Sequence, residues 1–599
     1  MIYHCEDHTC NYWDEGEKLP ERCPQCGRKL LRANEADMTG DDWTALGNTL
    51  WDAEASDKKR MVDCFRKAAY LGSAWGVCNL GICMEQGNGV EADPVQAFWL
   101  YQQAVEMGSL NAVCCLGVCY EYGIGTAPDA KQAAELYCKA AEYGSPRGQM
   151  LLAHAFHDGI GVEADAAEAV HWVRAAAYQR YGEGMHRLGV CYEYGDGVEQ
   201  NWEHAVHWFR EAAESGVSVA MTDLGYCYEK GCGVEQSWEQ AFFWYRRGAE
   251  CGDLLSMNNL ACCYERGEGV EQNEDRAFYW YRRSAEGGNG DAMCNLGRCY
   301  KRGYGVEQNW QEAVKWYEQG AQCGNLQSMN NLAYCYERGE GVEQNEDRAL
   351  YWYRRGAEAG SVHCMFCLGW NYSNGVGVKQ NMTEAIRWYT AAAEGGNAAA
   401  MQSLGWHYDH GEGVEQDMKK AICWYERAAE QNHPAAMNSL GECYAMGRGV
   451  PRDLETAMEW YRRAAELGEA MADYNMGWHL EQAGKLSEAY AHYRKAADGN
   501  DDSAWWALGR FYENGVVVAQ DGKEARRCYE TGEKLGSVKC KMRLARCKLL
   551  GIGGRRAKKA GLDLCRQALE LAKESSEKED YGYEAEMNLL RRTIAENES

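Results

Sequence analysis

Four cysteines near the start of the chain have the residue type and spacing of a metal site: Cys5, Cys10, Cys23 and Cys26. The second pair, Cys23-Pro-Gln-Cys26 followed by a glycine, is a knuckle in which two thiolates and backbone amides converge on one ion. Four thiolates in tetrahedral geometry suit zinc or iron. A segment this short has too few apolar residues to fold without such a centre. We therefore predict a structural metal site, with zinc favoured over iron.

The first cysteine pair leaves the ligand set open. Cys5 and Cys10 are separated by four residues instead of the usual two, and His4 and His8 lie beside this wider gap. Either imidazole is an alternative to Cys5, although ligation by all four cysteines is favoured because thiolates suit structural zinc best. The stretch from residue 10 to residue 27 resembles zinc-ribbon and rubredoxin-like modules. We assign residues 1–38 to this module.

The overall charge excludes one class of partner. The 599 residues include 63 Lys and Arg but 90 Asp and Glu, a net charge of −27, which repels phosphate backbones. No nucleic acid is therefore expected, and without an apolar run near the roughly 18 residues of a transmembrane helix no membrane insertion is expected either. The first residues show no export signal and the 29 cysteines are odd in number, so we expect a cytoplasmic protein with reduced thiols.

A second set of cysteines recurs along the rest of the chain, three residues after a repeated leucine. This position is on a predicted apolar helix face, where a free cysteine packs as a small hydrophobe. Packing is therefore favoured over metal or redox chemistry at these positions. The main alternative function is a redox or metal-handling protein that uses the N-terminal four-cysteine centre. The nine cysteines are Cys83, Cys119, Cys191, Cys227, Cys263, Cys299, Cys335, Cys443 and Cys547.

These cysteines belong to a 36-residue repeat, which also sets the positions of the other candidate residues. A Leu-Gly or Leu-Ala pair recurs every 36 residues from Leu80 to Leu440, and irregular copies before and after it bring the total to about fifteen. A fixed period of this length is typical of solenoids, in which each unit buries its apolar face against its neighbours.

One unit, residues 219–252, shows the logic of the repeat. Ala220, Leu224 and Cys227 fall at helical spacing and define helix A, which the glycines of Gly-Cys-Gly-Val at 231–234 end. Ser237 stands at the cap position of helix B. A tryptophan recurs on helix B, and we assign it to the core as the large side chain that packs between neighbouring units. The tryptophans are Trp172, Trp208, Trp244, Trp280, Trp316, Trp352, Trp388, Trp424 and Trp460.

The motif Leu-Gly-x-x-Tyr-x-x-Gly-x-Gly-Val, a capping Asn or Asp, and then Ala-x-x-Trp-Tyr-x-x-Ala-Ala-Glu-x-Gly closely resembles the Sel-one-like repeat, a relative of the tetratricopeptide repeat. The resemblance implies an all-α, right-handed α-solenoid superhelix that binds partner proteins as a scaffold or adaptor and is not an enzyme. We assign residues 39–575 to this solenoid and residues 576–599 to a C-terminal capping helix.

A secreted branch of this family offers a further alternative, a hydrolase acting on cell-wall-derived compounds. That branch carries one paired cysteine bridge in each repeat. Here Cys251 and Cys323 end helix B, but Met257 and Met329 stand where the matching cysteines would be. The hydrolase function therefore does not transfer to this chain.

The exposed face of helix A carries the candidate partner-binding residues. Asparagines one or two places before the repeat leucine offer a donor and an acceptor to an extended peptide backbone. Cations six places after the leucine oppose the acidic net charge. We predict that these residues bind proteins or peptides with acidic or carboxylate-terminated segments; the alternative is that they only solvate a polar helix face. The residues are Asn258, Asn259, Asn295, Asn330, Asn331, Lys230, Arg266, Arg302 and Arg338.

Overall fold

The computed structural model describes residues 2–5, 13–15, 30–33, 35, 38–51, 55–578 and 583–598. Its first elements are three short strands, β1 (Ile2–Cys5), β2 (Trp13–Glu15) and β3 (Leu30–Ala33). They form an antiparallel sheet in the order β2-β1-β3, in which Cys5 pairs with Leu30. Of the predicted metal ligands, Cys10, Cys23 and Cys26 lie outside the described residues.

The rest of the described chain is helical. The chain divides into two compact units, Met1–Asn309 and Trp310–Ser599. Within each unit, successive helices pack on one another in chain order. The helices of the first unit are α1 (Gly40–Thr49), α2 (Ala55–Tyr70), α3 (Ala74–Gln86), α4 (Pro94–Glu106), α5 (Leu110–Tyr122), α6 (Ala130–Glu142), α7 (Pro146–Asp158), α8 (Ala166–Tyr178), α9 (Gly182–Tyr194), α10 (Trp202–Glu214), α11 (Ser218–Lys230), α12 (Trp238–Glu250), α13 (Leu254–Arg266), α14 (Glu274–Glu286) and α15 (Gly290–Arg302).

The second unit continues the same alternation. Its helices are α16 (Trp310–Gln322), α17 (Leu326–Arg338), α18 (Glu346–Glu358), α19 (Val362–Asn374), α20 (Met382–Glu394), α21 (Ala398–His410), α22 (Met418–Glu430), α23 (Pro434–Met446), α24 (Leu454–Glu466), α25 (Ala470–Gln482), α26 (Leu486–Asp498), α27 (Asp502–Asn514), α28 (Gly522–Lys534), α29 (Val538–Leu550), α30 (Lys558–Lys578) and α31 (Glu584–Glu598). Odd-numbered helices up to α29 are A helices, and even-numbered helices up to α30 are B helices. Across the described residues this makes fifteen A–B alternations, so the predicted α-solenoid of about fifteen repeats is confirmed.

Local chemistry sets the helix boundaries. The B helix α12 begins where Ser237 accepts a hydrogen bond from the backbone N–H of Gln240, 3.3 Å away. The A helix α11 ends at Gly231, whose φ of 74° is in the left-handed region that glycine adopts without a Cβ clash. Gly233 has a φ of 69°, and a Cβ there would lie 2.3 Å from the carbonyl oxygen of Trp202 in the preceding repeat. The second turn glycine is therefore required by close packing between repeats.

In seven of the nine repeats with this tryptophan, the residue after it is a tyrosine, and this tyrosine is more deeply buried than the tryptophan. Tyr245 is completely buried, and a Cβ on Gly225 would lie 2.6 Å from its ring, which explains the glycine of the Leu-Gly pair. Of the nine tryptophans, Trp244 and Trp352 are buried, while the other seven are half-buried. Trp172, Trp208, Trp424 and Trp460 nevertheless pack against the buried clusters of their units, which confirms the predicted packing role for these four. The Arg427 guanidinium lies 4.3 Å from the centroid of the Trp424 ring.

The cysteine ladder is packed as predicted. All nine of its members are buried, and none of the 25 cysteines whose side chains are described is joined in a disulfide. Burial raises the pKa of Cys191 to about 11 and that of Cys227 to about 12, which keeps these thiols protonated.

The C-terminal boundary differs from the prediction. The expected break at residue 576 falls inside α30, which continues to Lys578. The last helix, α31, begins at Glu584 and packs on α29 and α30 through the buried side chains of Met587 and Leu590. None of the described helices combines the length and the apolar character needed to cross a bilayer.

Candidate protein-interaction surface

Three predicted cations of the first unit end successive A helices. Lys230, Arg266 and Arg302, here called the cation rung, are the last residues of α11, α13 and α15. All three are exposed, with 50% of the Lys230 side chain and 62% of the Arg266 side chain accessible. The C-terminus of a helix carries partial negative charge, so a cation is stabilised there before any partner binds.

The side chains of the cation rung make solvent-exposed contacts within the protein. The Lys230 Nζ lies 2.7 Å from a carboxylate oxygen of Glu229, which raises the pKa of Lys230. The Arg266 guanidinium is 3.7 Å from Glu268, and that of Arg302 lies over a tyrosine ring. Exposed ion pairs of this kind contribute only about 0–1 kcal/mol. The cations can therefore exchange these contacts for a carboxylate on another molecule.

The asparagines of the first unit have a structural task that their spacing did not reveal. Asn258 is buried, and its Oδ1 accepts a hydrogen bond of 3.0 Å from the Nδ2 of Asn295 in the next A helix. The Nδ2 of Asn258 donates to the Oδ1 of Asn259, 3.3 Å away. These side chains join α13 to α15. Asn259 and Asn295 remain half-buried, so part of each amide is still accessible.

A glutamate missed by the sequence reasoning lies behind this face. Glu265 accepts hydrogen bonds from the Tyr281 hydroxyl at 2.6 Å and from Nη2 of Arg298, at 2.7 Å and 2.9 Å to its two oxygens. The tyrosine–glutamate contact recurs at a spacing of sixteen residues within one repeat. That spacing is visible in the sequence and could have identified the pair. The other such pairs are Tyr101–Glu85, Tyr137–Glu121, Tyr245–Glu229, Tyr353–Glu337 and Tyr529–Glu513.

In the second unit, α17 carries the remaining predicted residues. Asn330 and Asn331 are half-buried, and the Oδ1 of Asn330 lies 3.9 Å from the Cys364 thiol. Arg338 is exposed at the end of the helix, where its guanidinium lies 5.7 Å from the Tyr334 ring centroid. This helix therefore presents the same residue types as those of the first unit.

The predicted metal ligands cannot be assembled from the described residues. Cys5 ends β1, and its three predicted co-ligands are not described. Among the residues that are described, no group of three or more His, Cys, Asp or Glu side chains could hold a metal ion.

Comparison with known proteins identifies the repeat. The Sel1 repeat model matches thirteen segments, at residues 76–109, 112–145, 146–181, 182–217, 218–253, 254–289, 290–325, 326–361, 362–397, 398–433, 434–469, 470–501 and 504–537. A search of curated proteins found no match. A similar solved structure is c5321, a protective antigen of uropathogenic Escherichia coli with an SLR fold. It is 33% identical, the match covers 75% of this chain and 97% of that one, and the TM-score is 0.52.

Two further structures show lower similarity. A Sel1 repeat protein from Oxalobacter formigenes is 25% identical over 51% of this chain and 89% of that chain, with a TM-score of 0.40. Yeast Tom70 is 13% identical over 89% of this chain and 97% of that chain, with a TM-score of 0.32. The thirteen matched segments span most of the sequence, and the chain therefore belongs to the Sel1 repeat family.

Proposed function

We propose that this chain is a scaffold that binds proteins or extended peptides through carboxylates, which the cation rung of the first unit recognises. Sel1 repeat solenoids are typically interaction scaffolds without enzymatic activity, so family membership supports the general role. The observation that carries the specific proposal is the exposure of Lys230, Arg266 and Arg302 at a 36-residue interval in a chain of net charge −27.

The chemistry of the rung favours carboxylates. A guanidinium donates two parallel hydrogen bonds to a carboxylate, and such charge-assisted bonds are stronger than neutral ones. The accessible parts of Asn259 and Asn295 can add hydrogen bonds to a peptide backbone. Arg338, Asn330 and Asn331 give the second unit the same chemistry on α17. As part of the same proposal we place the scaffold in the cytoplasm, because a reducing compartment preserves many free thiols.

Fluorescence anisotropy with labelled hexaglutamate tests the carboxylate preference. The peptide with a free C-terminus should bind more tightly than its C-terminal amide, and a hexalysine peptide should not bind. Raising the salt concentration should weaken binding, because exposed charge interactions are screened. The double variant Arg266→Glu/Arg302→Glu should weaken hexaglutamate binding at least tenfold.

A matched control is available on the B helices. Arg246 and Arg282 are exposed by 53% and 57%, and each forms an i,i+4 ion pair with a glutamate. The variant Arg246→Glu/Arg282→Glu makes the same change in net charge away from the A-helix ends. If both double variants weaken binding equally, the effect comes from total charge and the cation rung has no specific role.

We also propose that residues 1–38 hold one structural zinc ion through Cys5, Cys10, Cys23 and Cys26. Two described features support it: β1 ends at Cys5, and Cys5 pairs with Leu30, the first residue of β3, four positions after Cys26. Bound zinc would supply the fold energy that so short a segment lacks.

Elemental analysis of the full chain tests this second proposal. We expect one zinc per chain, lost in Cys23→Ser/Cys26→Ser and retained in the control variant Cys251→Ser/Cys323→Ser, whose two cysteines are exposed. Iron with a visible charge-transfer band would instead support a redox or metal-handling function. Zinc retained by both variants would contradict the assigned ligands.

A further inference from the structure

One repeat of the first unit lacks the aromatic residue that fills all its neighbours. The eighth residue of the B helix, here called the plug position, is a buried tyrosine or phenylalanine in every described B helix from α4 to α28 except α8, where it is Val173. The residues at the plug position elsewhere are Tyr101, Tyr137, Phe209, Tyr245, Tyr281, Tyr317, Tyr353, Tyr389, Tyr425, Tyr461, Tyr493 and Tyr529.

The polar partner of the missing ring has changed as well. In neighbouring repeats of the first unit, the residue sixteen positions before the plug position is a glutamate, such as Glu121, which accepts a hydrogen bond from the Tyr137 hydroxyl at 2.6 Å. In the repeat of Val173 this residue is His157. Its Nδ1 contacts Asp158, and its Nε2 lies 3.2 Å from Asp196. A cluster that both donates and accepts hydrogen bonds thus replaces a single acceptor.

A cavity of about 570 Å³ lies between this repeat and the A helix of the next one, α9. Its buried floor is apolar and includes Val173, Val170 and Ala153, while the half-exposed His157 and Asp158 lie at its rim. A volume of this size is within the range of small-molecule sites, roughly 300–1,000 Å³. Replacing a large core residue by a small one leaves part of the core unfilled, and an unfilled apolar space can take up an apolar ligand.

Ala153 does not explain why the ring is absent. It stands where most repeats have the glycine of the Leu-Gly pair, but Ala261 occupies the same position in another repeat, and Tyr281 is still fully buried there. A tyrosine ring is therefore compatible with an alanine beneath it. Valine at position 173 therefore adds to the cavity the space that an aromatic ring fills in other repeats.

We propose that this cavity binds a phenolic ring. The ring lies on the floor formed by Val170 and Val173, in the space that tyrosine fills in neighbouring repeats, and its hydroxyl reaches the cluster of His157, Asp158 and Asp196. The buried tyrosine side chains of other repeats thus indicate which chemical group fits this space. The site is independent of the cation rung, and the phenol comes either from a free small molecule or from a tyrosine side chain of a bound protein.

Ligand-detected saturation-transfer NMR on the full chain tests this site, with p-cresol and the peptide acetyl-Ala-Tyr-Ala-amide as probes. We expect p-cresol to bind at least fivefold more tightly than toluene, which has the ring but no hydroxyl. Binding of p-cresol alone identifies a site for free small molecules, whereas binding of the peptide as well identifies a site that accepts a partner's tyrosine. If neither probe binds, the proposal is overturned.

Variants at the plug position locate the binding. Val173→Tyr restores the residue of the neighbouring repeats and should weaken p-cresol binding at least tenfold. Phe209→Tyr is the matched control, because it adds a tyrosine at the plug position of the next repeat without changing the cavity lining. If Val173→Tyr does not fold, Val173→Leu fills part of the space and should give a smaller loss. Unchanged p-cresol binding in the folded variant would overturn the assignment.

Discussion

Replacing Gly233 by alanine should lower the free energy of unfolding more than replacing Gly231 by alanine. Both glycines lie in the turn after α11 and have a positive φ, 69° and 74°. They differ in their surroundings. A Cβ on Gly231 would lie 3.3 Å from the Cβ of Gln236, whereas a Cβ on Gly233 would lie 2.3 Å from the carbonyl oxygen of Trp202 and 2.4 Å from its carbon.

These distances set the expected magnitudes. An alanine in the left-handed region costs about 1–2 kcal/mol, and both variants carry this cost. Gly233→Ala must also displace the backbone at the start of α10, and overpacking of this kind costs about 1–3 kcal/mol more. We therefore expect a loss of about 1–2 kcal/mol for Gly231→Ala and about 2–5 kcal/mol for Gly233→Ala.

Hydrogen exchange measured by mass spectrometry resolves this difference locally. In a solenoid, the loss concentrates at the interface between neighbouring repeats. Amides of α10 and α12 should therefore exchange faster in Gly233→Ala than in Gly231→Ala, while amides of α4 should be unchanged in both. Urea unfolding of the same variants gives the total loss.

Two results would refute the reasoning. If both variants lose the same stability, the left-handed backbone alone explains the second glycine, and the contact with Trp202 has no energetic role. A larger loss in Gly231→Ala would show that the first turn glycine is the more constrained position.

Three further predictions concern stability and reactivity. Tyr245→Phe removes the 2.8 Å hydrogen bond to Glu229 and should lower the free energy of unfolding in urea by about 1.5–3 kcal/mol. Burial raises the pKa of Asp501 to about 6, above an unfolded value of about 3.9, so ionisation of this group removes stability as the pH rises through that interval. Asp501→Asn should therefore be more stable than the wild type by about 1–3 kcal/mol at pH 7.5, with the difference shrinking towards pH 4.5 in thermal unfolding. Ellman's reagent should modify the exposed Cys251 in the folded protein but reach the buried Cys227 only after unfolding.

Each of these predictions has an outcome that contradicts it. Tyr226→Phe, on an exposed tyrosine, is the control for the hydrogen bond, and an equal loss there would mean that the Glu229 contact contributes nothing. A constant advantage of Asp501→Asn at both pH values would point to a cause other than ionisation. Equal reaction rates for Cys251 and Cys227 in the folded chain would contradict the packed thiol ladder.

The candidate surface could be predicted only in part from the sequence. The 36-residue spacing correctly identified Lys230, Arg266 and Arg302 as the last residues of A helices, because position within a helix follows from local periodicity. The hydrogen bond between Asn258 and Asn295 could not be derived in the same way. It joins residues 37 positions apart, and its length depends on how closely two helices approach.

The sequence by itself determined the helices, their caps and the turn between them, because each depends on residues a few positions apart: Ser237 caps α12, and Gly231 ends α11. Only the tertiary structure decided which aromatic ring packs against the glycine of the Leu-Gly pair. Trp244 and Tyr245 are adjacent and equally apolar by pattern, but the tyrosine ring is the one that fits above Gly225 and reaches a carboxylate with its hydroxyl. The space beside Val173 also depends on tertiary packing. A missing ring leaves a space in the core only when the neighbouring helices cannot move together to fill it.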